Sequence, residues 1–129
     1  MNAPARVLIV DDDLDTLTLY SFALSASGLH VDQAKTGAEA LAAVRSARPA
    51  VVVTDLTLPD VDGIELCRQL KAAAGPGLLG LIVLSGTSDA GQQERAWKAG
   101  ATEVLVKPCL PTELERVIRD ALASAGSGG

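Results

Sequence analysis

The sequence predicts an α/β fold in which a doubly wound parallel sheet of five strands is covered by five helices. Apolar runs of four to six residues alternate with helical stretches along the whole chain. The first run, residues 7–10, is apolar throughout, as is typical of a parallel strand buried on both faces. A chain of 129 residues, 48% of them hydrophobic, suffices for one domain with one core. Five strand–helix units in about 120 residues therefore form a parallel sheet between two layers of helices.

The predicted strands are short and mostly apolar, and they comprise residues 7–10, 30–34, 50–54, 79–84 and 102–106. The second strand contains more polar residues than the others, which favours a place near an edge of the sheet. Aromatic residues make up only 2% of the chain, so Val, Leu, Ile and Ala must build the core.

The predicted helices are the longer segments between these strands, and they comprise residues 14–26, 37–47, 64–73, 89–99 and a last helix that follows Thr112. Gly28 and Gly100 lie just after the first and fourth helices, where Gly commonly ends a helix. Pro49 stops the second helix. Thr112 is the predicted N-cap of the last helix, because Glu115 three residues later completes a capping box.

Composition and charge exclude several classes of protein. The net charge is −5 and no Lys/Arg cluster occurs, whereas electrostatic binding of nucleic acid normally needs a basic surface. No apolar run approaches the ~20 residues that cross a bilayer, and no signal peptide is present, so we expect a cytoplasmic protein without membrane contact. Cys67 and Cys109 are isolated, as expected for reduced thiols. We expect one domain over residues 5–124, with residues 125–129 as a flexible tail or the start of a linker.

Charged residues follow three of the predicted strands directly. Asp11 and Asp12 come after the first strand, Asp55 after the third and Lys107 after the fifth. In a flavodoxin-like sheet with strand order 2-1-3-4-5, the first and third strands are neighbours. Asp11, Asp12 and Asp55 should then converge at the carboxyl ends of the strands, where doubly wound sheets bind ligands.

This set of side chains favours a site for a cation and a phosphoryl group. Clustered carboxylates repel one another, and Mg²⁺ relieves the repulsion because it prefers oxygen ligands. Lys107 adds a compact positive charge, and Ser85 at the end of the fourth strand offers a hydroxyl donor. A carboxylate surrounded by a metal, a Lys and a hydroxyl can act as the nucleophile in phosphoryl transfer.

Simpler roles exist for the individual residues. Asp13 or Asp15 suits the N-cap or first turn of the first helix. Ser85 before Gly86 is also common turn chemistry, and a Lys before a turn is often only solvated. It is the occurrence of acid, hydroxyl and Lys at matching strand ends that favours the phosphoryl site.

The chain resembles the response-regulator receiver domain of two-component signalling over residues 5–124. The motifs that carry the resemblance are weak singly and specific in their order and spacing: residues 7–12, 55–63, 84–86, Gly100–Ala101 and Lys107–Pro108.

The resemblance implies a role for each pocket residue. Asp55 would accept a phosphoryl group from a histidine kinase or phosphotransfer protein, in a signalling domain that is not an enzyme acting on other substrates. Asp12 and Asp55 would bind Mg²⁺ directly, Asp11 through water and Thr57 through its backbone carbonyl. Two further residues would contact the phosphoryl group: Ser85 by a hydrogen bond, and Lys107, whose bond to Pro108 is typically cis in this family. The bound group would shift the face made by the fourth helix, fifth strand and fifth helix, which would control a partner or output domain.

Two positions depart from the family pattern. Val104 replaces the Tyr or Phe that usually changes rotamer three residues before the Lys, and a Val has no ring to swing between buried and exposed states. Cys109 stands where an aromatic residue often follows the Lys-Pro pair. Trp97 falls near the expected output face, either as a packing residue or as an exposed anchor for a partner.

Two other functions compete with this interpretation. Asp11, Asp13, Ser85 and Lys107 imitate the pattern of a haloacid-dehalogenase-type phosphohydrolase, although the acidic pair expected beyond the Lys is missing. The chain could also be a receiver-like interaction module that is never phosphorylated. The complete set of acids, hydroxyl and Lys argues against that third hypothesis.

Overall fold

A computed structural model describes residues 4–86 and 88–127. Five strands alternate with five helices: β1 (Arg6–Val10), α1 (Leu14–Ala26), β2 (His30–Ala34), α2 (Gly37–Ala47), β3 (Val51–Asp55), α3 (Gly63–Ala74), β4 (Gly80–Ser85), α4 (Ala90–Lys98), β5 (Glu103–Val106) and α5 (Pro111–Ser127). A single 3₁₀ turn, Gly75–Gly77, links α3 to β4. No helix among the described residues is both long and apolar enough to span a bilayer.

The strands form one sheet in the order β2-β1-β3-β4-β5, and all four neighbouring pairs are parallel. The predicted fold class and strand order are therefore confirmed. β2 lies at an edge and is only partly buried, as its polar residues indicated. In the register of the central pair, Val10 lies beside Thr54, so the residues that follow, Asp11 and Asp55, lie at the same level of the sheet.

The sheet divides the core into two clusters because alternate residues of a strand point to opposite faces. Leu8 and Val10 of β1 face the cluster that packs against α2, α3 and α4. Val7 and Ile9 face the cluster that packs against α1 and α5. Val, Leu, Ile and Ala make up nearly all of both clusters, as the low aromatic content required.

The predicted N-cap of the last helix is wrong. α5 begins at Pro111, and the amide of Leu114 already donates to the carbonyl of Leu110, so Thr112 lies inside the first turn. Pro is favoured at the first helical position, where its fixed φ is suitable and its missing N–H costs nothing. That preference outweighs the capping box, and Glu115 pairs with Arg119 one turn later.

The tail predicted for residues 125–129 overlaps the end of α5. The helix backbone continues to Ser127. Residues 128–129 lie outside the described part of the chain.

Candidate functional site

Two carboxylates and one ammonium group meet at the carboxyl ends of β1, β3 and β5. The Lys107 Nζ lies 2.6 Å from Asp55 Oδ2 and 3.1 Å from Asp11 Oδ2. Both Asp residues are buried, whereas Lys107 is partly exposed. The ammonium group of Lys107 therefore bridges two carboxylates from neighbouring strands. The site is open to solvent on one side.

Backbone amides fix the other oxygen of each carboxylate. The amide of Asp13 donates to Asp11 Oδ1, and the amide of Thr57 donates to Asp55 Oδ1, each at 2.9 Å. Each carboxylate thus accepts one amide hydrogen bond from the turn that follows its strand and one hydrogen bond from Lys107. Both side chains are held in a single orientation before any ligand binds.

The surroundings raise the pKa values of both Asp11 and Lys107, for different reasons. Burial raises the pKa of Asp11, and the hydrogen bonds from Asp13 and Lys107 offset this only in part. Burial alone would lower the pKa of Lys107, but the hydrogen bonds and charges of Asp55 and Asp11 outweigh it and raise that pKa. Lys107 therefore stays positively charged at neutral pH, while the charge on Asp11 is costly to the folded protein.

Asp12 completes an acidic cluster with Asp11 and Asp55. One carboxylate oxygen from each residue lies within 4.8 Å of the other two, a spacing that one small cation can span. Asp12 is exposed at the mouth of the site, unlike the other two acids. All-oxygen donors with an open side suit Mg²⁺, which binds to one or two carboxylates and keeps several waters. The chemistry of the donor set fits the magnesium site predicted from the sequence.

Asp11, Asp12 and Asp13 form a triplet of consecutive acids. Asp13, the last of them, caps a helix and is not part of the acidic cluster. It is the N-cap of α1 and accepts hydrogen bonds from the amide and the hydroxyl of Thr16. These hydrogen bonds lower the pKa of Asp13. The prediction that Asp13 or Asp15 caps the helix is confirmed for Asp13, and the triplet is divided between two tasks.

The loop after β3 is held close to Asp55. Thr57, the predicted backbone ligand, is exposed and forms an isolated antiparallel bridge with Asp62. Gly63 then approaches the backbone of Leu56 so closely that a Cβ atom would lie 2.2 Å from the Leu56 carbonyl oxygen. Only Gly fits this position, and the close contact closes the loop that starts at the predicted nucleophile.

Ser85 is buried at the end of β4, next to β5 in the sheet. Its carbonyl accepts a 2.7 Å hydrogen bond from the amide of Lys107, so the two predicted phosphoryl-binding residues are joined through the backbone. Its hydroxyl lies 3.4 Å from Gln92 Oε1 in α4 and donates to it. The peptide bond between Lys107 and Pro108 is cis, as the resemblance implied.

The two output-face candidates lie in β5 and α4. Val104 is partly buried in β5 and packs against the cluster that contains Ala96 and Ala99. The side chain of Trp97, in α4, is 46% exposed. Its exposure is compatible with an anchor for a partner, and its remaining surface packs on the protein.

Sequence reasoning missed three residues that support this site. Tyr20 is buried in α1 and donates to the Cys109 carbonyl, and Gln92 contacts Ser85. Asp60 accepts hydrogen bonds from the amides of Gly37 and Ala38, which joins the loop after β3 to the start of α2. Only Tyr20 left a signal: it shares the buried face with Leu17 and Leu24, and a buried Tyr usually needs a partner for its hydroxyl.

Comparison with known protein families gives a match over most of the chain. Residues 7–119 match the family described as the response regulator receiver domain. A response regulator, MprA of Mycolicibacterium vanbaalenii, is 37% identical over 111 residues, which cover 86% of this chain and 47% of MprA. The DNA-binding response regulator MtrA of Mycobacterium tuberculosis is 33% identical over 117 residues, 91% of this chain and 50% of MtrA. The chain thus spans about half the length of the curated relatives it matches.

Solved structures of similar fold include receiver domains. A CheY-like receiver domain protein from Methanospirillum hungatei superposes with a TM-score of 0.91 at 29% identity, covering 98% of this chain and 99% of that one. The beryllofluoride-activated receiver domain of DrrB superposes with a TM-score of 0.83 at 30% identity, covering 93% and 98%.

Proposed function

The chain belongs to the response regulator receiver domain family, and on that premise we propose that it signals by accepting a phosphoryl group on Asp55. Receiver domains are signalling domains that interact with histidine kinases and output domains. The donor here would be a histidine kinase or a phosphotransfer protein. The observation that carries the proposal is the pair of hydrogen bonds from Lys107 Nζ to Asp55 Oδ2 and Asp11 Oδ2.

The transfer is a substitution at phosphorus. A carboxylate oxygen of Asp55 forms a new P–O bond while the bond from phosphorus to the donor breaks, and the donor leaves with that electron pair. Lys107 already contacts the attacking carboxylate, so its ammonium group can also stabilise the negative charge on the phosphoryl oxygens during transfer. The Ser85 hydroxyl would donate a hydrogen bond to one of those oxygens. Ser85 and Lys107 stay aligned through their backbone hydrogen bond.

Mg²⁺ would be held by Asp12 and Asp55 directly, by Asp11 through water and by the carbonyl of Thr57. When bound, the ion supplies positive charge that offsets the repulsion between the acids and the incoming phosphoryl oxygens. The acidic cluster of Asp11, Asp12 and Asp55 supports this ligand set.

The donor protein must reach Asp55 through the open side of the site, and exposed apolar side chains lie on α1 and in the loop after Lys107. Leu14 follows the acid triplet and Leu110 follows the Lys107 loop, and both are exposed. Leu19 and Phe22 extend this surface along α1, with Phe22 77% exposed. Exposed apolar clusters of this kind mark interaction sites. We define the donor face as Leu14, Leu19, Phe22 and Leu110.

Output would pass through the face of α4, β5 and α5, which includes Trp97 and Val104. The chain covers about half of MprA and MtrA, so the partner that reads this face would be either a separate protein or an attached output domain.

Phosphorylation by a small donor tests the proposal. The protein is incubated with acetyl phosphate and Mg²⁺, and intact mass spectrometry counts phosphoryl groups per chain. We expect one group on the native protein, none on Asp55→Asn and one on Asp13→Asn, which alters a neighbouring acid outside the site. Equal labelling of Asp55→Asn would contradict the proposal.

This labelling experiment, together with a turnover assay on a generic phosphomonoester, separates the competing functions. A phosphohydrolase would turn over a generic phosphomonoester repeatedly, and an interaction module would never gain mass. Asp13, which a haloacid-dehalogenase-type enzyme would need in its site, is engaged as the N-cap of α1. Stoichiometric labelling without turnover is the outcome that the receiver function requires.

The donor face has its own test, in which the source of phosphate is varied. Phe22→Ser should slow transfer from a phosphorylated histidine kinase that labels the native protein, while leaving labelling by acetyl phosphate unchanged. An equal effect on both donors would contradict the docking role. Thr18→Ser, an exposed change on the same helix, is the matched control.

A further inference from the structure

The Ser85 hydroxyl contacts the first turn of α4. It donates to Gln92 Oε1 at 3.4 Å, and Gln92 lies in the first turn of that helix. The backbone amide of Gln92 donates a 3.0 Å hydrogen bond to Oδ1 of Asp89, the N-cap of α4. A side chain in the first turn of α4 is thus joined to a residue that the proposed chemistry would engage.

Few apolar contacts hold α4 on the protein. Ala96 is the one buried residue between Ala90 and Lys98, whereas α3 buries Gly63, Leu66, Cys67 and Leu70. Segments with little buried apolar surface open at low free-energy cost. A single hydrogen bond to the first turn therefore has a larger effect on α4 than it would have on a deeply packed helix.

Val104 offers no alternative link between the site and α4. It packs against the cluster that contains Ala96 and Ala99, so it faces α4 from β5. A β-branched side chain has a restricted χ1 and no ring to move. A rotamer change of Val104 therefore does not offer a route from the site to α4.

We propose that Gln92 is a positioning residue that holds the first turn of α4 against Ser85 and is released when Asp55 is phosphorylated. This inference rests on the proposed function and names its regulation. Ser85 has one hydroxyl proton, so Gln92 and a phosphoryl oxygen compete for it. A charged phosphoryl oxygen is the stronger acceptor than a neutral amide oxygen. Phosphorylation thus removes the hydrogen bond from Gln92 and loosens the start of α4.

Amide hydrogen exchange of residues 90–98 tests the proposal, with beryllofluoride and Mg²⁺ as the mimic of the phosphoryl group. In the native protein the mimic should accelerate exchange in the first turns of α4 by about two- to tenfold, the effect of losing one hydrogen bond. Gln92→Leu should exchange at that faster rate without the mimic and gain no more from it. Gln92→Glu keeps an acceptor oxygen and should restore slow exchange.

Two further variants serve as controls. Gln93→Leu changes the adjacent residue and should behave like the native protein. Gln92→Ala removes the same acceptor with a smaller side chain and should behave like Gln92→Leu. If Gln92→Leu exchanges as slowly as the native protein and responds fully to the mimic, the inference is overturned. If acetyl phosphate labels both the native protein and Gln92→Leu in that case, the proposed function survives. If acetyl phosphate labels neither protein, the proposed function fails, and the inference that rests on it fails too.

Discussion

The hydroxyl of Tyr20 in α1 donates a 2.6 Å hydrogen bond to the backbone carbonyl of Cys109, two residues after Lys107. The bond joins residues 89 positions apart in the chain and connects the first helix to the loop that follows Lys107. Burial raises the pKa of Tyr20 above its ordinary value, so the hydroxyl keeps its proton throughout the neutral range. The position of Lys107 is thereby supported from outside the acidic cluster.

Tyr20→Phe should destabilise the protein by about 1–2 kcal/mol, because the ring remains buried while a hydrogen bond is lost. Urea unfolding measures the change. Labelling by acetyl phosphate should also slow, since the Lys107 loop is less firmly held. Phe22→Leu on the exposed side of the same helix is the control. An unchanged unfolding midpoint for Tyr20→Phe would show that the bond adds nothing to stability.

Asp11→Asn should make the protein more stable at pH 7 while weakening Mg²⁺ binding. The pKa of Asp11 is raised in the folded protein, chiefly by burial, so ionisation of this group opposes folding. The cost is present above the raised pKa and disappears as the pH falls below the ordinary value of about 3.8. Asn removes the charge, and each kcal/mol gained should raise Tm by about 3–6 °C.

Calorimetry at several pH values tests this expectation. The difference in Tm between Asp11→Asn and the native protein should be largest near pH 7 and should shrink in acid. A lower Tm at pH 7 would mean that the hydrogen bonds to Asp13 and Lys107 outweigh the cost of the buried charge.

Asp60→Asn should destabilise the protein in a pH-dependent manner. The amides of Gly37 and Ala38 lower the pKa of Asp60, so this carboxylate favours folding above its ordinary pKa of about 3.8. The contribution is lost as the pH falls through the lower value of the folded state. Asn has one acceptor oxygen for two amides, so Tm should fall modestly at pH 7, and the difference should shrink as the pH falls below 3.8. A difference that stays constant with pH would contradict the capping role.

Asp12→Ala and Asp13→Ala should affect different properties although the residues are neighbours: Mg²⁺ affinity for Asp12 and stability for Asp13. Removing Asp12 takes away a predicted ligand, so we expect Mg²⁺ affinity to fall at least about tenfold. Asp13→Ala removes the N-cap of α1, so Tm should fall while Mg²⁺ affinity and labelling remain. Calorimetric titration with Mg²⁺ distinguishes the two. Equal losses of Mg²⁺ affinity would mean that the whole triplet binds the ion.

The fold and the acidic cluster could be predicted because both depend on short-range patterns. Parallel strands bring their carboxyl ends to one edge, so the strand order places the charged residues at the ends of β1, β3 and β5 on the same edge of the sheet. Strand and helix boundaries differ by a residue or so: β3, predicted at 50–54, is Val51–Asp55. Pairing with β4 continues for one residue beyond the apolar run.

The contacts around the site could not be predicted because they depend on how helices and loops approach one another. Whether Gln92 reaches Ser85 depends on the rotation of α4 about its axis, which its polar sequence leaves open. The pairing of Asp60 with Gly37 joins two loops, and Gly37 reads in the sequence as an ordinary helix start. At Thr112, two valid helix-start signals compete, and only the structure decides between them.

The division of the core by the sheet separates α1, which carries most of the donor face, from α4, one of the three elements of the output face. Leu17, Tyr20 and Leu24, under the donor face, belong to one cluster, whereas Ala96 and Ala99 beside α4 belong to the other. Substitutions in residues that share no packing partners have nearly additive effects. The core beside α4 could therefore be repacked with little effect on the core under α1, whereas α5 shares the cluster of α1 and would respond to changes there.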